Sequence, residues 1–179
     1  MKKIPTIFVR NPQNMKELLN EPHPLCGWVF AGEGVATRKY DGTCCKIEGG
    51  ELFKRREIKP GERPPIGFVE EDFDHITGKH VGWMPIDCTD KQDKYHCESF
   101  SGQPTGTYEL IGPKVQGNPE GFDRHTLFAH SKAEVFDDCP RDMDGLKNWL
   151  TDRDIEGIVF HHPDGRMAKI KKRDFNLAR

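Results

Sequence analysis

Short stretches in which apolar and polar residues alternate dominate the chain, and few stretches carry the spacing of an amphipathic helix. Such alternation predicts β-strands, because successive side chains of a strand point to opposite faces. Helices are predicted only at 15–19 and from Asp142 or Asp144 to about Leu150. The chain is therefore expected to be an α+β protein with mostly antiparallel sheets. The predicted strands are 4–10, 35–39, 44–47, 51–55, 107–111 and 127–131, followed by a hairpin of 155–161 and 166–172.

Residues 57–105 interrupt this pattern, because they are rich in Pro, Gly and Asp and carry only scattered aromatic residues. We predict that they form an irregular insert with short strands. The whole chain has 179 residues, which is the usual size of one domain, so a single domain spanning 1–179 is expected.

Charge narrows the possible functions. Lys and Arg number 27 against 29 Asp and Glu, and the net charge of -2 excludes binding of nucleic acid through bulk positive charge, although a local basic patch remains possible. No apolar run approaches the roughly 18 residues of a membrane span, and the first residues resemble a strand rather than a secretion signal. We therefore expect a cytoplasmic protein whose six cysteines, none in a CxxC pair, are free thiols rather than metal ligands.

Lys39 is the first residue with distinctive chemistry. It ends a predicted strand directly before Asp41-Gly42, which could aim its amine into a cleft. A neutral lysine amine is a covalent nucleophile, but Asp-Gly is also an ordinary hairpin turn. This segment alone therefore leaves both interpretations open.

Three later segments add acidic and basic residues. Glu109 lies on an otherwise apolar strand, and Glu156 precedes the buried run 157–160. Lys169 and Lys171 are two residues apart, so they share one face of the last strand. Such a lysine pair is either a solvated surface or a clamp for a polyphosphate.

The order of these segments resembles the ATP-dependent polynucleotide ligase and mRNA-capping superfamily of covalent nucleotidyltransferases. The segment 109–118 is similar to the extended motif III of RNA ligases rather than to the Asp-Gly-Glu form of DNA ligases. Runs at 36–45, 69–73, 82–85 and 117–119 are similar to the 5′-3′ RNA ligase family that includes the vertebrate RNA-repair ligase. In this resemblance motifs I, III, IV and V correspond to Lys39-Tyr40-Asp41-Gly42, Glu109, Glu156-Gly157-Ile158-Val159 and Lys169-Ile170-Lys171.

The resemblance implies an ATP-grasp-like nucleotidyltransferase domain of ligases, with a nucleotide-binding cleft between antiparallel sheets. Only eight residues follow Lys171, so no OB-fold domain is expected after it. The implied reaction uses ATP and Mg²⁺ or Mn²⁺. Lys39 becomes adenylylated, AMP passes to an RNA 5′-phosphate, and an RNA 3′-hydroxyl then displaces AMP. The expected protein is a monomer that acts in RNA repair.

The same resemblance assigns roles to individual residues. Lys169 and Lys171 neutralise the α-phosphate and keep the Lys39 amine reactive. Glu109 accepts hydrogen bonds from the ribose hydroxyls, and Glu156 helps to hold the metal. The predicted catalytic residues are Lys39, Lys169 and Lys171, and the predicted nucleotide-binding residues are Thr37, Asp41, Gly42, Arg56, Glu109, Phe128, Lys169 and Lys171. Lys54, Arg55 and Lys172 are predicted to contact RNA.

Two of these assignments are choices between alternatives. Arg55 and Arg56 alternate along a strand, so only one can face the nucleotide, and we assign Arg56. Phe128 is assigned to stack on adenine, although a core phenylalanine on a strand is equally consistent.

Three other functions remain open at this stage. A capping guanylyltransferase would use GTP and normally needs an OB-fold domain, and a DNA nick ligase fits motif III less well. An inactive relative that only binds nucleotides or RNA ends is the non-enzymatic alternative. For the ligase, weak and salt-sensitive RNA binding is expected through the basic clusters 54–59 and 166–173.

Overall fold

The computed structural model describes residues 2–179. Within them the chain forms eleven strands and three α-helices. The helices are α1 (Gly27–Phe30), α2 (Lys94–Ser99) and α3 (Met143–Thr151), and short 3-10 helices include Pro24–Cys26, Lys91–Asp93, His130–Lys132 and Lys172–Phe175. The strands are β1 (Phe8–Asn11), β2 (Asn14–Pro22), β3 (Val35–Lys39), β4 (Thr43–Glu48), β5 (Glu51–Ile58), β6 (Val69–Asp74), β7 (Lys79–Pro85), β8 (Gly106–Ile111), β9 (Thr126–Ala129), β10 (Gly157–His161) and β11 (Met167–Lys171).

The chain folds into two compact units. The central unit comprises residues 2–3 and 41–132, and the terminal unit comprises 4–40 and 133–179. Few helices and antiparallel strand pairing confirm the predicted α+β class. The expectation that the chain is one minimal domain stays a prediction.

A six-stranded antiparallel sheet forms the central unit, in the order β6-β7-β5-β4-β8-β9. Alternation along β4 and β8 buries Cys45 and Ile47 against Tyr108 and Leu110. The opposite face of the same strands carries Cys44, Lys46, Thr107 and Glu109, so the hydrophobic core leaves one sheet face for polar and charged side chains.

The terminal unit holds a three-stranded sheet, β11-β10-β3, and the hairpin β1-β2. Ile158 and Phe160 of β10 pair with Ile170 and Ala168 of β11 and bury one face of the sheet. Leu146 and Leu150 lie one helical turn apart on α3 and are fully buried in the same core. Asp142 caps α3 by accepting from the Gly145 backbone amide at 2.8 Å, as the sequence predicted.

One predicted element is wrong, and another is more regular than predicted. Residues 15–19 belong to strand β2 and not to a helix, because β2 pairs with β1, where Leu18 lies opposite Arg10. The insert 57–105 is more regular than expected, because it supplies β6 and β7 with six and seven residues to the central sheet.

The cysteines also differ from expectation in one respect. Cys88 and Cys97, predicted to be free thiols, form a disulfide that links the segment after β7 to α2. Cys26, Cys44, Cys45 and Cys139 are free. Burial raises the pKa of Cys26 to about 11, so this thiol stays protonated at neutral pH. Among residues 2–179 no helix is long and apolar enough to cross a lipid bilayer.

Candidate active site

The ends of three strands bring the predicted catalytic lysines of the terminal unit together. In the central strand β10, Gly157 pairs with Lys39 of β3 on one side and with Lys171 of β11 on the other. Gly157 allows this close packing, since a Cβ atom there would lie 2.2 Å from the carbonyl oxygen of Ile170. Lys39 and Lys171 therefore flank one glycine, immediately after Glu156 in the sequence.

Glu156 joins the two lysines. Its carboxylate forms an ion pair with the Lys39 Nζ, and Oε1 lies 2.6 Å from the Lys171 Nζ. Burial alone would raise the pKa of Glu156, but the charges and hydrogen bonds of Lys39 and Lys171 outweigh it, so this pKa is lower than usual. Glu156 is therefore a carboxylate anion held between the side chains of Lys39 and Lys171, and it is only 13% exposed.

Lys169 lies on the same face of β11 as Lys171, as the alternation predicted. Burial, followed by the positive charges of Lys171 and Lys39, lowers the pKa of Lys169 from 10.5 to about 8. This lysine can therefore change its protonation state near neutral pH, which an exposed lysine does not do. We call Lys39, Glu156, Lys169 and Lys171 the lysine cluster.

Thr37 extends the face of the lysine cluster along β3. It belongs to the same row of paired residues as Lys169, because both pair with Val159 of β10. The Thr37 hydroxyl donates to the Val159 carbonyl oxygen at 3.1 Å and lies 3.1 Å from the His161 Nε2. No role was predicted for His161, but the structure shows that it contacts Thr37, a predicted nucleotide-binding residue.

Glu109 occupies the polar face of the central sheet. Its side chain is only 10% exposed, and its Oε2 lies 3.0 Å from the Nε2 of His130. The other ring nitrogen of His130 lies 3.0 Å from the Thr107 hydroxyl. His130, which directly follows β9, therefore holds the Glu109 carboxylate of β8 in place. This contact was not predicted, although alternation along the strand placed the side chains of Thr107 and Glu109 on one face.

Strand pairing decides which arginine shares the face of Glu109. Glu109 pairs with Cys44, and the register of β4 and β5 places Cys44 opposite Arg55. Phe128 of β9 pairs directly with Glu109, so it also shares this face. Arg56 points to the opposite face. The register therefore places Arg55 and not Arg56 on the face of Glu109, which the sequence did not reveal, and the contact of either arginine with a nucleotide stays a prediction.

Asp41 and Gly42 lie in the connection between β3 and β4, and both make close contacts there. They connect β3 and β4, which lie in different sheets, so they do not form the hairpin turn that Asp-Gly suggested. The Asp41 backbone amide donates to the Glu120 Oε1 at 2.8 Å. A Cβ atom on Gly42 would lie 2.2 Å from the Leu110 carbonyl oxygen and 2.9 Å from the Glu109 Cγ, so only glycine fits beside Glu109.

Two residues predicted to contact RNA bind other groups of the protein. Lys54 lies 2.5 Å from the buried Asp93 carboxylate. Lys172 is only 6% exposed and donates to the backbone carbonyl oxygens of Thr151 and Arg153 at 3.3 and 2.8 Å. The side chains of Lys54 and Lys172 therefore stabilise the fold, and their contact with RNA stays a prediction.

The fold and the lysine cluster together define a class of protein: an α+β protein with three lysines gathered around one partly buried glutamate. Comparison of sequences narrows this class. The chain is 26% identical over 219 residues to RNA ligase 1 of Danio rerio, covering 80% of this chain and 67% of that protein. RNA ligase 1 of Rattus norvegicus and RNA ligase 1 of Mus musculus are each 25% identical to this chain. These alignments also cover 80% of this chain and 67% of the relative.

No model of a known protein family matches the sequence. The three similar proteins nevertheless support the family relationship that the motifs predicted, and the chain is related to RNA ligases.

Proposed function

We propose that the protein is an ATP-dependent RNA ligase that joins a 5′-phosphate to a 3′-hydroxyl, with a role in RNA repair. The observation that carries the proposal is the lysine cluster, in which Lys39, Glu156 and Lys171 meet from three separate strand ends. Its members follow the order of the ligase motifs, and the chain is related to proteins named RNA ligase 1.

In the first step of the proposed reaction, Lys39 attacks as a neutral amine, the reactive form of lysine. A bond forms between its Nζ and the α-phosphorus of ATP while the bond to the pyrophosphate oxygen breaks, and the amine proton passes to solvent. Such in-line phosphoryl transfers depend mainly on positioning and on neutralisation of charge. Lys169 and Lys171 supply positive charge on the face that also presents Thr37.

In the second step the RNA 5′-phosphate attacks the lysyl-adenylate, which frees Lys39 and leaves AMP on the RNA end. In the third step a 3′-hydroxyl attacks that activated phosphate, loses its proton and releases AMP. We assign Glu109, held by His130, to accept from the ribose hydroxyls, and Phe128 to stack on adenine. Arg55 shares the face of Glu109 and Phe128, and we assign it to a phosphate.

The residues present fit a divalent cation that is shared with the substrate. Magnesium is commonly held by one or two carboxylates together with substrate phosphates. Within residues 2–179 no group of three His, Cys, Asp or Glu side chains gathers to hold a metal alone, but Glu156 offers one carboxylate among phosphate-binding lysines. When bound, Mg²⁺ or Mn²⁺ would draw negative charge away from the phosphoryl oxygens.

The proposal is tested by covalent labelling. The protein is first treated with pyrophosphate and magnesium, which reverses any existing adenylylation, and is then incubated with α-labelled ATP or GTP and separated under denaturing conditions. We expect label from ATP alone, its loss in Lys39→Ala, and full labelling in Lys94→Ala, which removes an exposed lysine elsewhere.

The alternatives predict different results. Label from GTP instead of ATP would support a capping enzyme, and joining of nicked DNA in preference to RNA would support a DNA ligase. Absence of label from either nucleotide, in protein that binds RNA ends, would leave only a binding module and refute the ligase proposal. Joining of 5′-phosphorylated RNA by the labelled protein completes the test.

A further inference from the structure

A cavity of about 350 Å³ lies in the terminal unit, apart from the lysine cluster. The hairpin β1-β2 and the 3-10 helix Lys172–Phe175 with the residue after it form its wall. The lining side chains are Arg10, Met15, Lys16, Arg173, Asp174 and Asn176. None of them has a role in the proposed adenylylation. Its volume lies at the lower end of the range of small-ligand pockets.

Arg10 and Asp174 are the least exposed charged residues that line this cavity. The Arg10 guanidinium lies 2.5 Å from the Asp174 Oδ1 and donates to the Met15 carbonyl oxygen at 3.1 Å. Asp174 is only 5% exposed in its side chain and also accepts from the Lys171 backbone amide at 2.9 Å. These contacts fix the hairpin against the 3-10 helix, and the charges of Arg10 and Asp174 cancel.

Lys16 and Arg173 provide the remaining charge. Both residues are exposed, and neither forms an ion pair within residues 2–179. Glu17, the neighbour of Lys16, accepts instead from the Asn11 side-chain amide at 2.9 Å. A concave surface with a net charge of about two positive units attracts an anion of matching size, and the Asn176 amide adds a neutral donor.

We propose that this cavity, the Lys16–Arg173 pocket, binds a backbone phosphate of the RNA substrate. The inference rests on the proposed function for the identity of the substrate. No aromatic side chain lines the pocket, so it offers no surface for base stacking, whereas its cations suit a phosphodiester. The pocket therefore contributes affinity without sequence preference.

The position of the pocket along the chain suits this role. Arg173 lies two residues after Lys171, so at most about 7 Å separates their Cα atoms. A nucleic-acid strand covers such a distance in about two nucleotides. An RNA end held at the lysine cluster can thus extend its backbone into the pocket.

The test uses the full chain with Lys16→Glu and Arg173→Glu combined. The matched control combines Lys91→Glu with Lys147→Glu, two exposed lysines outside the pocket, so both variants change the net charge equally. Three quantities are measured: labelling from α-labelled ATP, the KM for ATP, and the Kd for single-stranded 5′-phosphorylated RNA from fluorescence anisotropy at several salt concentrations.

We expect labelling and the KM for ATP to match the control, while the Kd for RNA at low salt rises about tenfold in the pocket variant alone. The slope of log K for RNA association against log salt concentration becomes shallower by about 0.7, which is the value for one phosphate of a single strand. The milder pair Lys16→Gln and Arg173→Gln should give a smaller effect of the same kind, and it replaces the charge reversal if that variant does not fold.

Two results would overturn the inference. An RNA Kd equal to that of the control shows that the pocket does not bind RNA, whereas a raised KM for ATP shows that it binds the free nucleotide. Failure of the proposed function is recognised separately, because unmodified protein would then take no label from ATP. Pocket-dependent RNA binding in such unlabelled protein would still support the inference.

Discussion

Lys169 is the residue at which the lysine cluster should affect stability most directly. Its pKa of about 8 in the folded protein lies below the ordinary value of 10.5. Between these two values the unfolded chain binds a proton that the folded protein does not, so the free energy of unfolding increases with pH. Below pH 8 both states are protonated, and the full destabilisation by the buried charge is present.

We therefore expect the stability of the native protein to rise relative to Lys169→Met as pH increases from 8 to 10.5, by up to about 3 kcal/mol. Urea unfolding at several pH values measures this difference. The comparison cancels the titration of other groups, such as the buried cysteines, which is common to both proteins. Lys147→Met, at an exposed lysine of the same unit, should show no such trend, and a flat difference for Lys169→Met would contradict the assignment.

His130 should act as a positioning residue for Glu109. His130→Phe removes both hydrogen bonds of the ring and leaves the partly buried carboxylate without its histidine partner, so we expect a loss of about 1–2 kcal/mol in stability. If Glu109 binds the ribose, the KM for ATP should rise about fivefold while the rate of labelling at saturating ATP changes little. Thermal unfolding and labelling kinetics provide the two measurements.

A histidine–glutamate pair elsewhere on the same sheet supplies the control for His130. His80 lies 2.8 Å from Glu70, but both side chains are well exposed. Exposed pairs contribute little, so His80→Phe should change stability by less than about 1 kcal/mol and leave the KM for ATP unaltered. Equal effects of the two substitutions would mean that His130 has only a structural role.

At the scale of strands, Gly157 determines whether β3, β10 and β11 can meet closely enough to form the lysine cluster. In Gly157→Ala the new methyl group would overlap the Ile170 carbonyl oxygen. Because backbone cannot move aside cheaply, we expect a loss of about 3 kcal/mol in the free energy of unfolding, together with loss of labelling from ATP. Urea denaturation and covalent labelling test both effects.

Gly27 provides a matched glycine in the same unit. No atom lies within 4 Å of a Cβ built there, and its backbone is already helical. Gly27→Ala should therefore leave labelling intact and stabilise the protein by up to about 1 kcal/mol. A similar loss of stability in both variants would show that close packing at Gly157 is not the cause.

Strands that alternate cleanly were predictable from the sequence, whereas those that depend on distant partners were not. Residues 44–47 alternate between the partly exposed Cys44 and Lys46 and the buried Cys45 and Ile47, and β4 covers the predicted range. Residues 15–19 place Met15, Leu18 and Leu19 at helical spacing, yet pairing with β1 makes them a strand. Local spacing cannot show this outcome, because the pairing partner decides it.

The candidate site likewise contains residues that could be predicted from the sequence and contacts that could not. The motif order identified Lys39, Glu156, Lys169 and Lys171, and the structure brings these four side chains together. The choice between Arg55 and Arg56 required the register of β5 against β4, and the contact of His130 with Glu109 required the pairing of β8 with β9. Neither register can be read from one strand alone.

For the whole molecule, the net charge of -2 means that the proposed RNA binding must depend on a few local cations. The structure reduces the number available in the basic clusters 54–59 and 166–173. Lys54 and Lys172 are occupied within the protein, Arg166 lies 2.7 Å from Asp164, and Lys171 pairs with Glu156. Few phosphates can therefore be neutralised at once.

We expect the RNA affinity to fall with salt at a slope of about -2 in a plot of log K against log salt, corresponding to about three phosphates of a single strand. Fluorescence anisotropy with Lys39→Ala, which cannot consume the substrate by the proposed reaction, measures the slope between about 50 and 200 mM KCl. A slope near zero would exclude phosphate contacts as the main source of affinity. A slope steeper than about -4 would require cations that the structure shows to be paired, and would mean that RNA binding rearranges those ion pairs.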